Sequence, residues 1–215
     1  MPGPNVFTIN FYRVAWDIIK EDLKRMLNWT RKKDNISGAT NSSFLSLIPK
    51  EKIPNSLNRF RPISLCNTSY KILSKILVNR MKNIMGHFIL EPQGGFVAGC
   101  QILDNIIIVQ EVIHSSIERK HQGMAIKLDM ANAFDRVNHH YLFEIMSKFG
   151  FSKIFVRWVK SCINRPWIAP LVNAKPTKFF QATRVLRKGF PMSPFLYLLV
   201  VESMRRKIQH LQESG

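Results

Sequence analysis

An apolar run that closes on one carboxylate constrains this chain more than any other feature. Met124, Ala125, Ile126 and Leu128 read as a buried strand, and Asp129 stands at its exit. The run overlaps KLDMANAFDRV, Lys127 to Val137, which sets an aromatic, Phe134, five residues beyond the acid. A rigid strand fixes the carboxylate at its end, so Asp129 is a candidate ligand for a hard divalent cation. Taken alone, an Asp there serves equally well as a turn residue or helix N-cap, and Phe134 as an ordinary core ring. Asp135, beside Arg136, reads as half of a local ion pair at the start of the next helix and not as a metal ligand.

A second stretch, RKGFPMSPFLYLLVVE from Arg187 to Glu202, leads from a glycine turn into a helix. Gly189 lets backbone come close to another strand, Ser193 can cap the helix, and Pro194 suits its first turn. The plain alternative is a capped helix after a hairpin. Upstream, Arg59 and Arg61 sit on a segment stiffened by Pro62, which suits bidentate contact with phosphate, although solvated arginines fit equally well.

Around these stretches the periodicities predict an α+β fold rich in helix. Apolar positions from Phe7 to about Arg31 recur at helical spacing, and Phe44 to Ile48 has the make-up of a short strand. Pro54 to Pro62 reads as a proline-bounded turn. Helices are predicted over Ser69 to Met85, closed by Gly86, then Ile102 to Glu118, His140 to Phe149, Ser152 to Ile163 and Ser193 to Leu211. Between the last two lies a hairpin, Ile168 to Val172 and Lys178 to Arg184, turning through Asn173 to Pro176.

Lys and Arg number 32 against 14 Asp and Glu, a formal charge of +18, which points to a polyanion as partner. The basic residues are scattered and line no amphipathic helix beside a long apolar span, so a membrane surface fits less well. Cys66, Cys100 and Cys162 lack any zinc spacing and read as reduced thiols. Met1-Pro2-Gly3-Pro4 opens no signal peptide, and the expectation is an intracellular protein, nuclear or cytoplasmic, without a targeting signal.

Six ordered blocks carry a resemblance over nearly the whole chain: PGPNVF with FYRVAWDIIKEDL, NSSFLSLIPK, FRPISLCNTSYKILSKILVNRMK, QGGFVAGCQILDNIIIVQE, KLDMANAFDRV and the block from Arg187. Together they resemble the reverse transcriptases of non-LTR, LINE-type retrotransposons, particularly the form abundant in plant genomes. The resemblance implies a right-handed polymerase, with residues 1–121 as fingers and 122–215 as an incomplete palm holding motif A, the KLDMANAFDRV block, and motif B, the block from Arg187. It implies an RNA template, a DNA primer and dNTP as partners, and Mg2+ as cofactor. Asp129 then looks like the first catalytic carboxylate, the backbone carbonyl of Met130 a second metal contact, and Phe134 the gate that excludes a 2′-hydroxyl. Arg61 resembles the arginine that grips the triphosphate, with Lys50 in support, and Gly189, Pro191 and Ser193 the loop that positions template and primer.

Departures from the family pattern are also legible. Lys188 stands where Gln is usual, Phe190 where a small or acidic residue is usual, Val185 for a glycine, Cys100 for an arginine, and Asn5-Val6 for Asp-Gly. They read as drift in a decayed copy. The family's motif C, an aromatic-Ala-Asp-Asp hairpin, is expected some tens of residues past motif B, and no aspartate follows Asp135 here. Two-metal chemistry needs several acids around ions about 3.5–4 Å apart, so the chain as given is expected not to polymerise DNA. The alternative is a basic nucleic-acid-binding remnant without catalysis. A group II intron maturase shares the architecture, but the wording of FRPISLCNTSYKILSK argues against it.

Overall fold

The computed structural model describes residues 3–89, 102–120, 130, 133–182 and 186–214. Its backbone is a mixed sheet with helices against it. β1 (Ser42–Pro49) pairs antiparallel with β2 (Phe60–Cys66), Ser43 opposite Cys66 and Pro49 opposite Phe60. β1 also pairs in parallel with β3 (Trp167–Val172), Ser42 beside Trp167. A parallel pair needs a long crossover, and here most of the helices are spent on it. The sheet therefore joins strands from both sides of residue 121.

The proline-bounded turn expected to reach Pro62 ends earlier, because β2 begins at Phe60 and takes Pro62 into the sheet. Pro62 is tolerated because β2 is an edge strand. Alternation puts its missing N–H on the side away from β1, the same side as the outward N–H of Ser64 two residues on. The predicted hairpin is also differently divided. Asn173 and Ala174 both have positive φ, 50° and 61°, which makes a tight two-residue turn into β4 (Lys175–Pro176). β5 (Phe180–Gln181) then pairs with Trp167 and Ile168 and is much shorter than the strand expected over 178–184; residues 183–185 lie outside the described residues.

The helical layer is organised by α3 (Thr68–Phe88), whose Tyr70, Leu73, Leu77, Val78 and Met81 recur at helical spacing and are all essentially inaccessible. Burying each Leu contributes about 2 kcal/mol. Gly86 does not end this helix as expected; it sits on the exposed side, where the packed face outweighs a glycine's weak helix propensity. Around α3 pack α5 (His139–Lys148), α6 (Lys153–Ile163) and α7 (Ser193–Ser214). Asn138 and Ser152 cap α5 and α6 by accepting backbone N–H groups, and Gly150, at φ 83°, takes the left-handed step between them.

The amphipathic stretch at the start is two helices, α1 (Ile9–Val14) and α2 (Trp16–Lys33), bent at Ala15. Spacing reports which face is apolar and not whether the axis runs straight, so the bend left no trace in the pattern. α4 (Ile102–Glu118) has the predicted bounds, and its Ile106, Ile107, Ile108, Val109, Val112 and Ile117 are exposed. No helix among the described residues is long and apolar enough to cross a membrane.

Candidate nucleic-acid site

Three distant pieces of sequence meet at the outer edge of β2. The Ser64 N–H, facing away from β1, donates to the carbonyl of Lys188 at 2.8 Å, so the segment before α7 covers the sheet edge. Gly189 permits this closeness. It has φ 91°, and a Cβ there would lie 3.1 Å from the Ser64 carbonyl oxygen and 3.4 Å from Ile63. We expect Gly189→Ala to cost about 1–3 kcal/mol, from strained backbone and from pushing the loop off the strand. Urea unfolding checks it, and an unchanged midpoint would show that the loop adjusts freely.

Ser193 acts differently from the predicted cap. It is the first residue of α7, and its hydroxyl donates back to the Arg187 carbonyl at 2.8 Å, closing the loop on itself. Phe190 is buried and stacks on Tyr70 with ring centroids 5.1 Å apart, so an aromatic at this position is part of the core. Pro191 points elsewhere. It is half-buried and lines an apolar pocket of about 560 Å³ with Ile9, Ile72, Lys71 and Lys75.

Arg187, read from sequence only as part of the motif, is 2% exposed. Its Nη2 donates to Asn41 Oδ1 at 2.6 Å, to the Tyr70 hydroxyl, and to the Cys162 carbonyl at 3.2 Å. The guanidinium also lies over the Tyr70 ring at 4.4 Å and near that of Phe190 at 5.4 Å. No carboxylate pairs with it among the described residues, and its Nη1 is buried without an acceptor there. Three weakly acidic groups surround it. Burial pushes the Cys66 thiol up, the Tyr70 hydroxyl well up, and the Cys162 thiol to about 12, with Arg187 pulling each back.

The motif A side reaches the same place. Phe134, in a single 3-10 turn Ala133–Asp135, accepts a hydrogen bond on its carbonyl from the Leu186 N–H at 3.1 Å. Its half-buried ring tilts against Tyr197 of α7, centroids 5.2 Å apart, and the Tyr197 hydroxyl meets Met130 Sδ at 3.3 Å. Tyr197 was not singled out from sequence, though it stands one helical turn after Ser193 and so beneath the loop. Asp135 does not pair with Arg136 as expected. Its carboxylate bonds Lys188 Nζ at 2.9 Å, both side chains about two-thirds covered, so the unusual lysine of the loop is matched by the acid of motif A.

Asp129 lies outside the described residues, as do Val185, Cys100 and the first part of the block from Gln93, residues 93–101. Among the described residues no group of three or more His, Cys, Asp or Glu gathers where a metal could sit. Asp135 is engaged by Lys188. Glu202, fully buried, is held by Arg205 and Arg206; burial alone would raise its carboxyl, but their hydrogen bonds keep it below the ordinary value. Glu213 accepts from Gln209 at 3.0 Å at the far end of α7. These acids do not fit a two-ion site.

At the other end of the β1–β2 hairpin, Arg61 stands opposite Ile48, and the Lys50 N–H donates to the Arg59 carbonyl at 2.8 Å. Lys50 and Arg59 thus extend the pairing just past the strand ends, and the three cations gather at this end of the hairpin. Arg61 is exposed and has no ion-pair partner among the described residues. Lys50 Nζ is turned onto the Asn58 carbonyl at 2.8 Å, and Arg59 reaches Glu51 at 3.4 Å. Of the residues picked out by sequence, Gly189, Ser193 and Phe134 are thus brought together, while Arg61 and Lys50 share a separate surface of the same hairpin.

A family model described as reverse transcriptase (RNA-dependent DNA polymerase) matches residues 48–213. Over 94% of its length the chain is 30% identical to the transposon TX1 uncharacterized 149 kDa protein of Xenopus laevis, covering 15% of that protein. It is 24% identical, over 96% of its length, to the retrovirus-related Pol polyprotein from type-2 retrotransposable element R2DM of Drosophila melanogaster, covering 19%. To the probable RNA-directed DNA polymerase from transposon BS of the same fly it is 29% identical over 68% of its length, covering 16%. The chain spans less than a fifth of the length of each of these relatives.

Proposed function

This chain belongs to the reverse transcriptase (RNA-dependent DNA polymerase) family, in the branch carried by non-LTR retrotransposons, and on that premise we propose that it supplies the fingers and the first half of the palm of an RNA-directed DNA polymerase. The observation that carries the reading is the convergence of β2, the Phe134–Asp135 turn and the Lys188–Ser193 loop, which unites three of the family's blocks at one edge.

Family polymerases are metal-dependent. In our reading the ion is Mg2+, supplying charge neutralisation at the transferred phosphate, and Asp129 with the Met130 carbonyl belongs to its ligand set. Phe134 limits the space beside the sugar of an incoming dNTP. Arg61 meets its triphosphate, with Lys50 in support once released from Asn58. Gly189, Pro191 and Ser193 present the loop to the RNA template and DNA primer. Residues 1–121 act as fingers and the rest as palm.

The charge predicts how the partner is held. Affinity for an RNA–DNA primer–template should fall at least about tenfold between about 50 and 200 mM salt, as for a protein with several phosphate contacts. Anisotropy measures it; absent or salt-independent binding would sink the reading. In a polymerase that contains these residues and extends primers, Arg61→Ala should raise the KM for dNTP about tenfold and leave the duplex Kd unchanged. The 215 residues alone carry one acid of the metal pair and are expected to bind without extending.

A further inference from the structure

The end of the sheet where β1 and β3 begin carries a second basic feature that the polymerase reading does not use. A surface cleft of about 530 Å³ lies between the 34–41 loop before β1, the C-terminal end of α6, and Trp167 and Gln181 of β3 and β5. Its rim includes Arg157, Lys160 and Arg165, and its one acid among the described residues, Asp34, is already bridged to Arg157 at 3.3 Å. Arg165 is exposed and has no ion-pair partner among the described residues.

Trp167 gives the cleft an aromatic wall. Trp167 is 38% exposed although it opens a sheet strand, and one edge of its indole lies against the 34–41 loop: a Cβ at Gly38 would fall 3.0 Å from its Nε1. The floor is polar and anchored. Asn41 is buried, its amide donating to the Asn164 carbonyl at 3.2 Å and its oxygen held by Arg187. Excess cation, an exposed Trp with one edge against the loop and amide groups below make the combination that binds single-stranded nucleic acid, phosphates on the cations and a base on the ring.

The cleft is separate from the proposed polymerase surface. Trp167 pairs with Ser42 at the start of β1, whereas Arg61 pairs with Ile48 six residues along, a span of about 20 Å at the rise of a strand. The motif B loop crosses the outer edge of β2 at Ser64, whereas the cleft opens at the N-terminal ends of β1 and β3; the two meet only beneath the surface, where buried Arg187 holds Asn41. We propose that this cleft is a second nucleic-acid site, for a single strand, in which a base stacks on Trp167 and the flanking phosphates meet Arg165 and Arg157. The proposal stands whether or not the chain takes part in primer extension.

Anisotropy with short labelled single strands of RNA and of DNA, and with a blunt primer–template duplex, tests it on the full chain. Trp167→Ala should weaken single-strand binding about tenfold, Trp167→Phe should keep most of it, and Arg165→Ala should weaken it about fivefold, all with duplex affinity changed less than about twofold. The RNA and DNA arms identify which single strand is taken; binding of neither overturns the proposal. So does Trp167→Ala with unchanged single-strand affinity, or with equal losses for single strand and duplex. Photocrosslinking of a 5-iodouracil-substituted strand to the unaltered chain needs no variant to fold: adducts at Trp167 support the site, and adducts found only elsewhere overturn it.

Discussion

Raising the pH from 9 to about 12 should strip this protein of about 4 kcal/mol of stability or more. Cys66, Tyr70 and Cys162 are buried around Arg187 as neutral acids, and burial raises all three above their ordinary values of 9.0, 10.0 and 9.0. The folded state therefore holds protons that the unfolded state releases. Stability from these groups is intact below pH 9 and is lost as pH rises, until each also ionises in the folded protein, near 12 for Cys162. Cys162 removes about 1.4 kcal/mol per pH unit over that window, about 4 kcal/mol in all, and Cys66 and Tyr70 act in the same direction. Against a domain stability of about 5–15 kcal/mol that loss is a large fraction. Urea unfolding followed by helical circular dichroism should show the midpoint falling across this range. A midpoint that stays flat would show that these groups titrate in place.

Arg187→Ala should lower stability by about 3 kcal/mol or more, read as a drop in urea midpoint at constant slope. Two effects oppose each other. An unpaired buried cation is costly, and removing it returns part of that cost. Here the guanidinium is resolvated in place by Asn41, Tyr70 and the Cys162 carbonyl and by two aromatic faces, so the return is small. Against it stand a cavity in the core and an orphaned Asn41 oxygen, at about 2–5 and 1–3 kcal/mol respectively. The loss should also free the loop that Ser193 ties to the Arg187 carbonyl, so primer–template affinity should fall with stability. A loss below about 1 kcal/mol would mean that cation burial dominates and that the loop is held by its other contacts, to Ser64, Phe134, Asp135 and Tyr70.

Much of the helical layer was legible because its signals are local. α4 has the predicted ends, and α5 and α6 begin beside the Asn138 and Ser152 caps where apolar spacing starts. Errors arose where packing outranked a local signal. Gly86 and Pro62 are breakers in any window, yet a buried helix face carries α3 through the first, and an edge position admits the second to β2. The candidate site was legible in its parts and not in its joints. Lys188 looked like a lost glutamine until its charge met Asp135, and Phe190 like a misfit until it stacked on Tyr70.

Family, charge and the order of the blocks were decided by the sequence alone, because each is written in neighbouring residues or in simple counts. Tertiary structure decided which of those residues act together. Lys188 reaches Asp135 across 53 residues, and Arg187 reaches Tyr70 and Asn41 across 117 and 146. No local pattern encodes such pairings, since the parallel pairing of β1 with β3 and the docking of the loop on β2 are set by the total burial of the helical layer between them.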